Sequence, residues 1–335
     1  MPSNNYHNLI IKIEPVLRGL FEVDQGIRFS REGAKTVNDL FSFQIGNKKY
    51  LLKILTRPPR VKSDYFRFEK EVALIARLQQ KNELAQKAND VKGIIPLQKV
   101  VHLERSEERA GYKFIVFEYI DGIPLASCWH DLTKEVKLSL VRELARILKN
   151  LHSLTFDMFG EIEDYDCPRR FYSFQSFLKA NLHRDILLLG KRRIFPPKLL
   201  TDIQLFFEDK LRETNFSEQP QLVHADLNLT NILVASNDSQ KIQALIDFEW
   251  AFAGDPLFDL FAIEDGWLCE PELKKTFYAV YAEDENFSLT NFPLERKIFD
   301  IFSLIETVSI GWLFFHPTKD SHVILQKQLQ KLLQE

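Results

Sequence analysis

The chain has 335 residues, of which 45% are hydrophobic, and a formal net charge of −3. This length and apolar content allow a sizeable core, and the charge argues against nucleic acid or an anionic membrane as a partner. Three widely spaced cysteines (Cys128, Cys167 and Cys269) form no Cys-x-x-Cys pair, and no basic-then-apolar leader begins the chain, so we predict no zinc site, no disulfide framework and a reducing, cytoplasmic location.

The first third of the chain shows the alternation of apolar and polar residues that is typical of strands. Residues 39–45 alternate, Gly46 and Asn47 form a turn, and residues 49–55 alternate again, which predicts a β-hairpin carrying Lys53. We predict strands at 39–45, 49–55, 98–103 and 113–119, and one helix at 65–80. Residues 1–120 are expected to form a small antiparallel sheet lobe with one main helix.

The rest of the chain, residues 121–335, shows mainly helical periodicity and is expected to form a larger lobe. We predict helices at 135–154, 171–189 and 197–212, and a mostly helical segment from Pro271 to the end. The apolar stretch 301–315 contains Glu306 and is shorter than the roughly 20 residues that a membrane span needs. We therefore predict a buried helix there.

Two short segments carry the residue types that phosphoryl transfer requires. The first runs from Val223 to Leu233 and contains Asp226 five residues before Asn231. In the second, Asp247 directly follows the apolar residues 244–246. Mg²⁺ prefers hard oxygen ligands, which Asn231 and Asp247 can supply, while Asp226 can accept a proton from a substrate hydroxyl. A predicted hairpin between the segments brings Asn231 and Asp247 to one edge. The plain alternative is two surface carboxylates and a capping asparagine.

These motifs, together with Gly254-Asp255-Pro256-x-x-Asp259-Leu260, resemble the aminoglycoside phosphotransferase family, whose members are relatives of the protein kinases that phosphorylate small molecules. The resemblance implies an α+β, protein-kinase-like fold of two lobes, with a nucleotide-binding N-terminal lobe and a catalytic C-terminal lobe. It also implies that Asp259 braces the catalytic loop and that His224 is buried and orients that loop.

The N-terminal lobe needs a fixed cation for the phosphates, and Lys53 is the candidate. In kinases a glutamate on the next helix positions this lysine. We choose Glu71 over the nearby Glu69 because the segment that begins at Glu71 resembles the family's helix in register. An exposed lysine at a strand edge is the alternative reading.

The remaining nucleotide contacts have weaker sequence signals. The stretch around Ser30, Gly33 and Thr36 is expected to contact phosphate oxygens through backbone N–H groups and hydroxyls, although a plain hairpin turn would look the same. Backbone groups of Glu118 and Ile120 are expected to meet the base. No side chain there selects adenine over guanine. We predict ATP as the nucleotide, with GTP possible.

The segment after Asp247 indicates what kind of substrate to expect. Ala225 stands where protein kinases have arginine, and about eight residues separate Asp247 from Asp255, too few for a long peptide-docking loop. Residues 224–286 hold 13 acidic and 3 basic residues, an excess that would attract a cation, unless it is only a solvated acidic face. We expect the ammonium groups of a cationic substrate to bind Glu249, Glu264 and Asp265.

We therefore predict a phosphotransferase that moves the γ-phosphoryl group of a magnesium–nucleotide complex to a hydroxyl of a small, cationic, aminoglycoside-like molecule. A metabolite kinase acting on choline, ethanolamine, homoserine or a fructosamine is the first alternative. A non-catalytic nucleotide-binding protein of the same fold is the second. The sequence indicates no protein partner.

Overall fold

The computed structural model of this chain describes residues 3–33, 38–56, 66–162, 169–235, 241–284, 286–314 and 319–334. Thr36, one of the predicted phosphate contacts, and the predicted turn at residues 236–239 lie outside these ranges.

The N-terminal part contains a helix, a five-stranded sheet and a second helix. In chain order the elements are α1 (Ser3–Phe21), β1 (Phe29–Arg31), β2 (Asp39–Ile45), β3 (Lys48–Ile54), α2 (Arg67–Lys87), β4 (Val100–Glu104) and β5 (Phe114–Glu118). The predicted strands and the helix at 65–80 are all present, although α2 continues seven residues further. Helix α1 and strand β1 are additions, since no element was predicted before residue 39.

The sheet is antiparallel with the strand order β1-β2-β3-β5-β4. Side chains alternate between its two faces, so Leu52 and Ile54 pack with Ile13 and Leu17 of α1 in one apolar cluster. Lys53, between them, lies on the opposite face, toward α2. The period-two pattern of β3 therefore places the single buried lysine of this strand on the inner side of the sheet.

The rest of the chain is mainly helical, as predicted, with short strands between helices. The elements are β6 (Gly122–Pro124), α3 (Lys134–His152), β7 (Phe159–Gly160), β8 (Arg170–Phe171), α4 (Phe174–Lys191), α5 (Pro197–Lys210), β9 (Gln221–Val223), β10 (Ile232–Ala235), β11 (Ile242–Leu245), β12 (Phe252–Gly254), α6 (Leu257–Gly266), α7 (Pro271–Tyr281), α8 (Pro293–Phe314) and α9 (Lys319–Gln334).

Two small sheets bring the predicted motifs together. Strands β10 and β11 pair antiparallel, with Ile232 opposite Leu245, so Asn231 precedes one strand at the end where Asp247 follows the other. In the second sheet β12 pairs with β9, with Phe252 opposite Val223. This pairing places the segment after Asp247 beside the segment that contains His224.

The inner face of the five-stranded sheet and the helical part share one large apolar cluster. Ile115 of β5 and Phe68 of α2 belong to the same cluster as Leu148, Phe261 and Ile301 from α3, α6 and α8. Because the core is continuous, the boundary at residues 120 and 121 is our proposal, based on the change from sheet to helices. None of the helices in the described ranges has the length and apolarity needed to traverse a lipid bilayer.

The docking of α1 on the outer face of the sheet can be tested by a pair of matched substitutions. Ile13 is completely buried, whereas Ile11 on the same helix is 51% exposed. We expect Ile13→Ala to lower the free energy of unfolding by about 2–5 kcal/mol because it leaves a cavity between helix and sheet. Urea denaturation measures this loss. In the control, Ile11→Ala should change it little, and equal effects of the two substitutions would contradict this packing.

Candidate active site

The loop that follows β9 is held in a strained conformation by one buried carboxylate. Ala225 has φ = 64°, in the left-handed region that non-glycine residues rarely adopt. Asp259, completely buried near the start of α6, accepts the N–H of His224 at 2.7 Å and that of Ala225 at 2.9 Å. The two hydrogen bonds fix the backbone immediately before Asp226.

Asp259 is in turn oriented by groups from α3 and α7. The Nε2 atom of His152 lies 3.1 Å from Oδ2 of Asp259, and its Nδ1 atom lies 2.8 Å from the hydroxyl of Tyr281. His152 is 2% exposed. These contacts could not be predicted from the sequence, because His152 is more than 100 residues away from both Asp259 and Tyr281.

His224 is completely buried at the end of β9. Its Nε2 atom lies 3.1 Å from the carbonyl oxygen of Ile246, and its Nδ1 atom accepts the N–H of Asp226 at 3.3 Å. Burial lowers the pKa of His224, so the ring is neutral and donates through Nε2. The imidazole thus ties the loop of Asp226 to the residue before Asp247.

Asp226 is half-buried, and the amides of its own loop hold its carboxylate. Asn231 donates to Oδ2 at 2.8 Å, and Asn228 donates to Oδ1 at 2.7 Å. Burial, followed by the negative charge of Asp247, raises the pKa of Asp226 to about 7. A carboxylate with such a pKa is suited to accepting a proton near neutrality.

Lys53 lies at the centre of a buried charge cluster. Its Nζ atom is 2.8 Å from Oε2 of Glu71, 2.6 Å from Oδ1 of Asp247 and 3.3 Å from Oε2 of Glu249. Burial alone would lower the pKa of Lys53, but the charges of Asp247, Glu249 and Glu71 outweigh it and raise that pKa. Glu69, the alternative partner, instead binds Lys113 at 2.6 Å. The lysine is therefore a fixed cation.

Asp247 and its neighbours offer oxygen atoms suited to a metal ion. The carboxylate oxygens of Glu71, Asp247 and Glu249 lie within 4.8 Å of one another. Asn231 uses its amide nitrogen on Asp226, so its amide oxygen is the atom that can bind a metal. Hard oxygen donors of this kind fit Mg²⁺. Of the predicted metal-binding pair, Asn231 and Asp247, Asp247 also has the carboxylate of Glu249 close by.

Glu249, predicted to bind a substrate ammonium group, lies in the buried charge cluster of Lys53 and also on the wall of the cavity described below. Glu249 is 1% exposed and turns inward from a 3₁₀ turn, where its Oε2 accepts the amide of Asn38 at 2.7 Å and faces Lys53. Its carboxylate is thus already engaged with cationic and amide groups of the protein. Asn38 lies 211 residues away, so no local pattern could indicate this contact.

Glu264 and Asp265 do not lie with the other predicted residues. Glu264 binds Lys274 at 3.1 Å and accepts the hydroxyl of Tyr278 at 2.9 Å. Asp265 is paired with Arg296. These carboxylates belong to ion pairs between α6, α7 and α8, and the structure does not bring them to the wall of the cavity described below. We do not carry them forward as substrate contacts.

The predicted nucleotide contacts lie along the sheet. Ser30 is exposed on β1 opposite Ser42, and Gly33 follows with φ = 65°. At the end of β5, the N–H of Glu118 bonds the carbonyl of Lys99, and the carbonyl of Ile120 accepts the N–H of Gly122. The carbonyl of Glu118 and the N–H of Ile120 are therefore the groups that we propose for the base.

A cavity of about 430 Å³ opens beside Asp226. Its wall is formed by α2, α4, α6 and α8 and by the segments around Asp226 and Glu249. The charged residues that the structure describes on this wall are Glu161, Asp226, Glu249 and Glu306, together with Arg67, Lys70, Arg169 and Arg184. The acidic excess of residues 224–286 is thus not concentrated at this wall, where described acids and bases are equal in number.

The model of the phosphotransferase enzyme family matches residues 34–287. This match spans well over half of the chain, and the protein belongs to that family. Among curated protein sequences, none matches the chain significantly.

Several solved structures have the same fold. An ADP-bound aminoglycoside phosphotransferase APH(2'')-Ib is 20% identical, with a TM-score of 0.58 and coverage of 100% of this chain and 97% of that one. A gentamicin complex of APH(2'')-IIa is 20% identical, with a TM-score of 0.62 and coverages of 97% and 96%. A fructosamine-3-kinase from Haemophilus somnus 129PT is 16% identical, with a TM-score of 0.66 and coverages of 98% and 99%. At these identities the likeness shows the fold.

The role of Asp259 in holding the loop gives a stability prediction. An amide at this position has one oxygen for the two N–H donors of His224 and Ala225, so we expect Asp259→Asn to cost about 1–3 kcal/mol of unfolding free energy. Chemical denaturation measures this cost. Asp265→Asn on the same helix removes an exposed ion pair and should cost less than about 1 kcal/mol. If the two variants were equally stable, Asp259 would not be the brace of this loop.

Proposed function

We propose that this protein transfers the γ-phosphoryl group of a magnesium–nucleotide complex to a hydroxyl of a small molecule bound in the 430 Å³ cavity. One observation carries the proposal. Asp226, on the cavity wall, is hydrogen-bonded to Asn231, while Asp247 lies 2.6 Å from the buried cation Lys53. A proton acceptor on the cavity wall thus lies next to oxygens suited to a metal ion and to a buried cation suited to phosphate.

Each residue has a role that follows from its position. Asp226 orients the acceptor hydroxyl and receives its proton. Asn231 and Asp247 hold Mg²⁺, which neutralises phosphate charge when bound. Lys53, held by Glu71, binds phosphate oxygens, and the backbone around Ser30 and Gly33 covers them. Catalysis then rests on positioning and charge stabilisation.

The nucleotide that we propose is ATP. GTP stays possible because only backbone groups of Glu118 and Ile120 are assigned to the base. The ligands bound to two of the solved relatives are consistent with this choice, since one holds ADP and another holds ATP with streptomycin. We further propose that the protein acts in a reducing compartment such as the cytoplasm, on the basis of its unpaired cysteines Cys128 and Cys269.

For the acceptor, we propose a small polyhydroxyl or amino-alcohol compound. Aminoglycosides are bound by several of the solved relatives, and a fructosamine is the substrate named for another. A cationic acceptor therefore remains our first expectation, with choline, ethanolamine, homoserine or a fructosamine as alternatives. A non-catalytic role is less favoured, because Lys53, Asp226, Asn231 and Asp247 are all present.

A nucleotide-consumption screen tests the proposal. The protein with Mg²⁺ and ATP or GTP is incubated with aminoglycosides, choline, ethanolamine, homoserine and fructosamines, and phosphorylated products are detected directly by mass spectrometry. Transfer to any of these hydroxyl compounds supports the proposal. Tight nucleotide binding with no transfer would favour the non-catalytic alternative.

Substitution of the proposed base gives a sharper test. We expect Asp226→Ala to lower turnover by about 10²–10⁴-fold, the usual contribution of a positioned proton acceptor. Binding of the magnesium–nucleotide complex, followed by calorimetry, should be largely retained because Lys53 and Asp247 are untouched. Asp209→Ala, at an exposed position on α5, serves as the control and should keep full turnover. Unchanged turnover in Asp226→Ala would remove this residue from the mechanism.

A further inference from the structure

One basic side chain on the cavity wall is buried without satisfying its hydrogen-bond donors. Arg67, the first residue of α2, is 1% exposed. Its Nη2 atom donates to Oδ1 of Asn38 at 3.1 Å, and its guanidinium carbon lies 5.6 Å from the centre of the Trp250 ring. Among the described residues, no acceptor is hydrogen-bonded to its Nε or Nη1 atom.

The charge of Arg67 is also incompletely compensated. Its Nε atom lies 3.5 Å from Oε2 of Glu249, but that oxygen also accepts Asn38 and faces Lys53. Arginine cannot lose its proton to relieve this situation. A buried cation with unsatisfied donors is costly, and the cost is understandable if a ligand supplies the missing acceptor.

Arg67 differs in this respect from the other described bases on the wall. Their side chains have hydrogen-bond partners within the protein: Lys70 with Glu161, Arg169 with Asn181, and Arg184 with Asp185. Among the described bases on the wall, Arg67 is therefore the one whose buried donor atoms lack a hydrogen-bond partner.

The position of Arg67 favours the acceptor over the nucleotide. The cavity wall includes Arg67 and Asp226, whereas Lys53, Asn231 and Asp247 are not among the described residues that line it. A molecule that fills the cavity would therefore lie against both Asp226 and Arg67. Such a contact requires an oxygen that accepts hydrogen bonds and carries negative charge.

We propose that Arg67 binds a carboxylate or phosphate group of the phosphoryl acceptor, so that the acceptor is an anionic or zwitterionic hydroxyl compound. This inference rests on the proposed function and narrows its substrate class. A cationic group elsewhere on the acceptor is compatible with it. Planar N–H donors of arginine suit both carboxylate and phosphate oxygens.

Pairs of hydroxyl compounds that differ by the anionic group test the inference. Ethanolamine is compared with serine, 3-amino-1-propanol with homoserine, and glycerol with glycerol 3-phosphate, each with Mg²⁺ and nucleotide. The first two pairs test the carboxylate and the third tests the phosphate. Wild-type protein is compared with Arg67→Met, which keeps side-chain volume without charge, and with Arg67→Lys. Arg77→Met, exposed on the same helix, is the control.

We expect the anionic member of a pair to be used at least tenfold better than its partner by the wild type. For that acceptor, Arg67→Met should raise KM by about 100-fold, the scale of losing one partner of a buried charge pair, with little change in kcat. Arg67→Lys should recover part of the loss, and Arg77→Met should behave as wild type.

Three results would overturn the inference. One is a best acceptor without an anionic group whose KM is unaffected by Arg67→Met. Another is a fall in kcat for every acceptor at constant KM, which would assign Arg67 to the transferred phosphoryl group. If no probe is phosphorylated, melting temperatures are measured with the same probes and a non-hydrolysable nucleotide. The third result is then that no anionic probe raises the melting temperature of the wild type more than that of Arg67→Met.

A separate measurement distinguishes failure of the proposed function from failure of the role of Arg67. Calorimetric binding of the magnesium–nucleotide complex is measured on the same wild-type sample. Nucleotide binding without any effect of the anionic probes would reject the role of Arg67 alone. Absence of nucleotide binding would instead reject the proposed function.

Discussion

The rest of this site depends on the buried ammonium group of Lys53. It projects from the inner face of a strand whose outer face packs against α1, and its three carboxylate neighbours come from α2 and from the segment after β11. A buried lysine is stable as a cation only with such compensation. Asp247 is also one of the two residues that we propose for the divalent ion, so the cluster joins the sheet to the helical part beside the proposed metal site.

Much of the fold could be predicted because it depends on local periodicity. The hairpin of β2 and β3 follows from the alternation of apolar and polar residues, and the long helix α3 follows from helical spacing. The family follows from the motifs around Asp226 and Asp247. Helix α1 was missed although Leu9, Ile13 and Leu17 have helical spacing and form its buried face. This spacing is sufficient to predict a helix from the sequence, although none was predicted there.

The parts of the site that could not be predicted depend on contacts between distant segments. The contacts of Glu249 with Asn38 and Lys53 could not be predicted from the sequence, because they are set by the packing of the sheet against the 3₁₀ turn. From the sequence, Glu264 and Asp265 could be expected to bind a cationic substrate, but cationic side chains of α7 and α8 pair with them instead. The charge of a segment therefore did not predict the charge of the cavity wall, where bases from α2, from α4 and from the segment before β8 offset the acids.

The central claim is that Asp247 and Asn231 bind one divalent ion beside Lys53. Anomalous X-ray diffraction from crystals grown with Mn²⁺ and a non-hydrolysable ATP analogue tests this most directly. The account predicts a manganese peak about 2.1 Å from oxygens of both side chains, the distance typical of small hard cations. A nucleotide bound elsewhere, or a manganese ion that contacts neither residue, would contradict it.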